Sequence, residues 1–241
     1  IKKKMRCIGA SILPISICSN NSPYFLLGKE RYAKHWKGSE RWSDFGGRKN
    51  EEDVDAEDIA AREFFEETMG VVKYFADDIL PRKGYSDITK SLRNQKFLFK
   101  ILYPIKKDCY YACFVVHIPF QVHCHDRFRQ YRKIQMNKAR KYNEKLKKIK
   151  NKKNVDEKSR IDLENNDDHN DHLEEHFFEK TSIRYFGLRQ SYIAASRKGI
   201  LQYKRSGNEI IRSIFKERLK TIAQVLPYTS TSTTESIASY Y

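Results

Sequence analysis

The sequence predicts an α/β fold carrying a charged insertion, on three observations. Apolar, β-branched and aromatic runs of strand length recur on both sides of residues 126–173. One helical stretch, residues 55–68, sets small apolar residues on one face and carboxylates on another. Between the strand-like runs, residues 127–153 hold thirteen Lys or Arg and one Glu, and residues 154–179 hold ten acids and two bases. Charge blocks of this kind stay in water, so they mark an insertion rather than core.

Taken in order, residues 5–18 and 24–28 read as the first strands. Lys2, Lys3 and Lys4 ahead of the apolar residues 7–18 imitate a leader peptide, but Ser11, Pro14 and Ser16 break the run. Residues 42–45 give a third strand. Residues 97–103 and 110–120 form a hairpin turning at Ile105 to Asp108, and the nearly continuous apolar run of 110–120 belongs at the sheet centre, covered on both faces. Residues 127–150 lack Gly and Pro and are rich in good helix formers, which predicts a long solvated helix fraying by about residue 152. Residues 182–188 read as a late strand. Residues 209–225 read as an amphipathic helix with Ile210, Ile214, Leu219, Ile222 and Leu226 near helical spacing. The expected organisation is a core in two parts, 1–125 and 174–227, an insertion over 126–173 and a disordered Ser/Thr-rich tail over 228–241.

The chain has 241 residues, enough to bury a core, and its 13% aromatic content excludes a wholly disordered protein. No run of about 18 apolar residues exists, which excludes a membrane-spanning helix. The formal charge of +16 favours polyanionic partners such as nucleic acid, nucleotides or polyphosphates. Five cysteines without a CxxC pair suit a reducing compartment, and the expected location is the cytoplasm. Cys109, Cys113, His123, Cys124 and His125 match no standard zinc spacing. His169, His172 and His176 lie in low-complexity surroundings, where only adventitious metal binding is expected.

The chemistry is concentrated in residues 45–71. Gly46-Gly47 reads as a tight turn that lets backbone approach a ligand. Asp55 is placed as an N-cap with Asp58 as a partial capping box, and Gly70 supplies the stop signal. Ala60, Ala61 and Phe64 share the face that packs on a sheet. Glu63, Glu66 and Glu67, three and four residues apart, share another. Carboxylates crowded in this way repel one another. A hard divalent cation removes that penalty, and Mg²⁺ completes its shell with waters and substrate phosphates. The plainer reading is an acidic amphipathic helix, and the glycines on either side weigh against it.

These residues resemble the box of the Nudix hydrolase family, G-x5-E-x7-R-E-U-x-E-E-x-G-U with U bulky and apolar. Gly47, Asp53, Arg62, Glu63, Phe64, Glu66, Glu67, Gly70 and Val71 stand at its fixed positions. Asp53 replaces the usual Glu, with Glu52 as the alternative. Eight residues rather than seven precede Arg62, and two rather than one precede Gly70. The resemblance implies the Nudix fold, a mixed β-sheet sandwiched between helices. It also implies an Mg²⁺- or Mn²⁺-dependent pyrophosphohydrolase, in which water attacks phosphorus in a nucleoside diphosphate linked to another group. It assigns metal binding to Glu66 and Glu67, has Glu63 bind metal or serve as base, and allows the Gly46 carbonyl as a further ligand. Arg62 would hold Glu63 in place. Glu179, ahead of the late strand, is the candidate for an additional catalytic carboxylate, with Glu174 and Glu175 behind it.

Weaker signals surround this site. Arg31, Lys34 and Arg48 are expected to grip substrate phosphates or to be ordinary surface charges. Trp36 reads first as a packing residue and second as a ring for stacking on a base. Arg127, Arg129, Arg132, Lys133, Arg140 and Lys141 form either a solvated helix face or an RNA-binding surface. Three functions follow: decapping of mRNA, hydrolysis of a small nucleotide or diphosphoinositol pyrophosphate, and RNA binding by a Nudix-fold module without catalysis. Retention of all three helix glutamates weighs against the last.

Overall fold

The computed structural model describes residues 5–151, 179–196, 200–203 and 207–225. Glu174, Glu175, the three histidines between 169 and 176, and the tail expected over 228–241 lie outside the described residues. The chain runs β1 (Arg6–Ile17), β2 (Pro23–Glu30), β3 (Trp42–Ser43), β4 (Phe45–Arg48), α1 (Ala56–Thr68), α2 (Ser86–Arg93), β5 (Phe99–Lys106), β6 (Cys109–His117) and α3 (Cys124–Asn151). It continues through β7 (Lys180–Gly187), α4 (Leu188–Ser196), β8 (Ile200–Tyr203), β9 (Gly207–Ile210) and α5 (Ser213–Val225).

Seven strands make one mixed sheet, and β8 pairs with β9 in a separate hairpin. β1 is the hub. It runs parallel to β6 along one edge, from Arg6 opposite Cys109 to Ile15 opposite His117. Along its other edge, Gly9 to Ile12 pair with β4 and Ile15 to Ile17 pair with β2. β2 also carries β3 and β7, with Gly28 opposite both Ser43 and Ile183. Alternation along these strands divides the core in two. Ile12, Leu26, Ala112, Phe114 and Ile183 pack under α1 with Ile59, Ala60 and Phe64. Leu13, Phe25, Leu27, Cys113, Val115 and Phe186 pack with Phe215, Leu219 and Ile222 of α5. β6 thus has both faces covered, as its apolar run predicts.

On the α5 face, Arg218 Nη1 meets Asp44 Oδ2 at 2.6 Å, and the Ser11 hydroxyl donates to the same oxygen at 2.6 Å. Burial and the Asp44 charge push the neighbouring Cys113 thiol up to about 12, so it stays protonated. This buried pair fastens α5 to β1 and to the residue that precedes β4.

Several expectations are corrected. Gly46 and Gly47 lie in a strand, not a tight turn, opposite Ser11 and Ala10. Close approach still explains both glycines, because a Cβ on Gly46 would fall 2.2 Å from Ser11 Cβ. The last helix starts at Ser213, since residues 207–210 pair with β8. Its buried stripe is Phe215, Leu219 and Ile222, while Ile210 and Ile214 are exposed. The basic helix is not solvated throughout: Cys124 and Phe128 in its first turns enter the core. Helices α2 and α4, eight and nine residues long, have too few turns to show a period.

Candidate active site

Helix α1 begins where Asp55 accepts a hydrogen bond from the Asp58 amide at 2.8 Å, satisfying one orphan donor of the first turn. It ends where Met69 and Gly70 turn left-handed, at φ of 53° and 63°. Gly70 is required there, since a Cβ would meet the Arg82 carbonyl at 2.8 Å. With Ile59, Ala60 and Phe64 directed into the core, Arg62, Glu63, Glu66 and Glu67 face β4 and the start of β7. All four are at least nine-tenths buried.

Arg62 organises this charge. Its Nε and Nη2 grip the two oxygens of Asp53 at 3.0 and 2.9 Å, and Nη2 also donates to the Arg48 carbonyl. Its Nη1 lies 3.0 Å from Glu63 Oε1 and 2.9 Å from Glu66 Oε2. Burial opposes the guanidinium charge, but Asp53, Glu63 and Glu66 more than offset it, so Arg62 is held protonated. The bidentate grip settles the choice between Asp53 and Glu52. Asp53 is buried against Arg62, and Glu52 is exposed.

Glu63, Glu67 and Glu179 come together, each offering an oxygen within 4.8 Å of the others. Burial raises Glu63 to about 7, with Arg62 opposing and Glu66 and Glu179 adding to the rise. Burial raises Glu67 as well, against the pull of Lys180. Glu67 Oε2 accepts from the Gly46 amide at 2.8 Å, and its Oε1 lies 3.0 Å from Lys180 Nζ. Gly46 therefore meets the helix through its N–H. Glu66 is directed to Arg62 and stands outside the three-carboxylate group. Three carboxylates this close, with Glu63 and Glu67 buried and raised in proton affinity and Glu179 half-buried, are a donor set that suits a hard divalent cation. Among the described residues no other such group of His, Cys, Asp or Glu exists, so Cys109, Cys113, His123, Cys124 and His125 form none.

The Arg31 amide donates to the Glu179 carbonyl at 2.7 Å, which sets the exposed Arg31 beside the carboxylates. Lys34 and Arg48 are exposed. Trp36 is 39% exposed, and the Arg212 guanidinium lies 5.0 Å from its ring centre. On α3, Arg129, Arg132 and Lys133 line a cleft of about 300 Å³ with Met136, Asn137 and Thr181. Arg132 Nε donates to the Lys180 carbonyl at 3.1 Å, so the cleft reaches the backbone at the start of β7. Arg127 is directed away, to the Val71 carbonyl and the Gln121 side chain. Arg140 and Lys141 lie exposed further along α3.

Sequence reasoning missed Lys180 and Glu30. Lys180 Nζ lies 2.7 Å from Glu30 Oε1, and both side chains are almost wholly buried. The available signal was a Glu-Lys pair at the opening of a strand.

No family profile and no curated protein sequence matches the chain. Solved structures similar to it are Nudix proteins. A Nudix hydrolase from M. smegmatis, RenU, is 10% identical at a TM-score of 0.31, over 49% of this chain and 65% of that one. The NUDIX domain of Shewanella oneidensis NrtR, complexed with ADP ribose, is 14% identical at 0.30, over 50% and 64%. A mutT/nudix family protein from Listeria innocua is 12% identical at 0.37, over 93% and 95%. The chain thus spans about two thirds of the first and second of these. Scores this low add nothing to the residues themselves, and the resemblance to Nudix hydrolases stands on the box and on the geometry of its carboxylates.

Proposed function

We propose that the chain is an Mg²⁺- or Mn²⁺-dependent Nudix pyrophosphohydrolase that cleaves the diphosphate linkage of a nucleoside diphosphate joined to another group. The meeting of Glu63, Glu67 and Glu179 within 4.8 Å, under a protonated Arg62, carries this reading. These three carboxylates would hold the metal. When bound, it supplies charge neutralisation at the diphosphate and a more acidic water. Arg62 fixes Glu63 and Glu66, and Asp53 fixes Arg62. A Glu63 carboxyl near 7 is suited to take up a proton at neutral pH. The exposed Arg31, Lys34 and Arg48 would meet substrate phosphates, and Trp36 would offer its ring to a base.

Capped RNA is the favoured substrate, supported by the cleft that Arg129, Arg132 and Lys133 line beside Thr181. Its adjacency to Lys180 would let a phosphodiester chain leave the carboxylate centre along α3, whose exposed Arg140 and Lys141 continue the positive surface. The smaller alternative is a nucleotide or diphosphoinositol. The cytoplasm suits five unbridged cysteines. The deciding experiment is a panel of capped RNA, dinucleoside polyphosphates, ADP-ribose, nucleoside triphosphates and inositol pyrophosphates with Mg²⁺ or Mn²⁺, products identified by mass. Cleavage of capped RNA alone supports decapping. Cleavage of only the small substrates replaces it, and no cleavage of any refutes hydrolysis.

A further inference from the structure

We infer that Lys180 is a positioning residue for the metal centre: its buried ammonium fixes Glu67 as a ligand. This rests on the reading of Glu63, Glu67 and Glu179 as the metal-binding group.

The geometry is built for this ammonium. Lys180 is 1% exposed, and its Nζ meets Glu30 Oε1 at 2.7 Å, Glu67 Oε1 at 3.0 Å, the Ser43 hydroxyl at 3.0 Å and the Asp44 carbonyl at 3.3 Å. Two local features admit the side chain. Its stem crosses Gly28, where a Cβ would fall 2.8 Å from Lys180 Cδ. The pairing of β7 with β2 slips between Lys29 and Glu30, so Ser182 faces Lys29 while Lys180, not Thr181, faces Glu30. Such a bulge reverses the alternation of side chains, and it turns Lys180 to the α1 face that Ile183 also occupies.

The consequence falls on Glu67. One of its oxygens is held by the Gly46 amide and the other by Lys180, so the orientation of the carboxylate is fixed, with an oxygen within 4.8 Å of those of Glu63 and Glu179. Partners that orient a ligand are as much a part of a metal centre as the ligand. A positive charge 3.0 Å from a ligand also has an opposite effect, since it repels an incoming dication. The sign of the change on removing Lys180 separates the two effects. If orientation dominates, metal affinity falls. If repulsion dominates, it rises.

The test is Mn²⁺ titration of the full chain by calorimetry, with thermal melting of the metal-free proteins alongside. Lys180→Met alone leaves Glu30 and Glu67 buried without their ammonium, which weakens the fold. The double variant Lys180→Met with Glu30→Gln removes one charge of each sign and leaves the net charge of the cluster unchanged. In that variant Mn²⁺ should bind about 10- to 100-fold more weakly than in wild type, the range for loss of an orienting partner, while the melting temperature falls less than in Lys180→Met. Unchanged affinity would make Lys180 purely structural, and tighter binding would make it a competitor of the metal; either overturns the inference alone. A wild-type chain that binds no Mn²⁺ overturns the metal centre and the inference together.

Discussion

The Glu63 carboxylate lies directly on the bare Cα of Gly47: a Cβ there would stand 2.3 Å from Glu63 Oε1. A strand residue of β4 thereby acts as the floor for a helix carboxylate of α1. Gly47→Ala is expected to push Glu63 out of the three-carboxylate group. A misplacement of about 1 Å at a reacting group costs roughly 100-fold in rate. Turnover should fall by that order while the circular dichroism spectrum is retained. A Gly47→Ala chain with wild-type turnover would show that Glu63 is not needed where it stands.

Arg62 pairs with Asp53, Glu63 and Glu66 at once. Removing one partner of a buried ion pair costs about 3–5 kcal/mol, because the remaining charge is left uncompensated. Arg62→Ala should therefore destabilise the chain by at least that much in denaturant unfolding. Arg62→Lys keeps the charge but loses the two-pronged grip on Asp53, and its stability should fall between the two. Equal stability of all three proteins would remove Arg62 from the framework.

Glu63 has its proton affinity raised by burial from 4.5 to about 7. The folded, metal-free chain therefore holds a proton that the unfolded chain has released between these values. Stability from this group is present in full below about pH 4.5 and is lost as pH rises through about 7, a change on the order of 3 kcal/mol. Melting of wild type measured against Glu63→Gln should show this difference, growing from pH 5 to pH 8. Added Mg²⁺ competes with the same proton, so its stabilising effect should be larger at pH 8 than at pH 6. A Mg²⁺ effect that shrinks with rising pH would contradict the assignment of Glu63.

Arg129 and Lys133 line the cleft beside Thr181 without touching the carboxylates. Reversing both, Arg129→Glu with Lys133→Glu, should weaken binding of single-stranded RNA and flatten its dependence on salt, as each lost phosphate contact lowers the slope by about one. Hydrolysis of a small dinucleotide should be unaffected. Equal loss on both substrates would assign these cations to folding or to the diphosphate itself.

Much of this was legible in the sequence because it is local. The cap at Asp55, the helix to Thr68, the stop at Gly70 and the shared face of Glu63, Glu66 and Glu67 all follow from spacing along one segment. Long-range pairing was not legible. Gly46 and Gly47 look like a turn until β1 is laid beside them. Residues 209 and 210 look like the start of a helix until residues 200–203 pair with 207–210. Lys180 lies ahead of the strand expected over 182–188, and only the bulge opposite Glu30 and the missing side chain at Gly28 bring it inside. Glu66 shares its helical face with Glu63 and Glu67, yet it meets Arg62 and stands outside their group with Glu179.

The most direct measurement is Mg²⁺-dependent turnover of Glu67→Gln on whichever substrate the wild-type chain cleaves. This change removes a carboxylate charge and keeps the shape of the side chain, so the melting temperature should stay close to wild type. Turnover should be abolished. Retention of most of the activity by the folded variant would contradict a catalytic metal held by this helix.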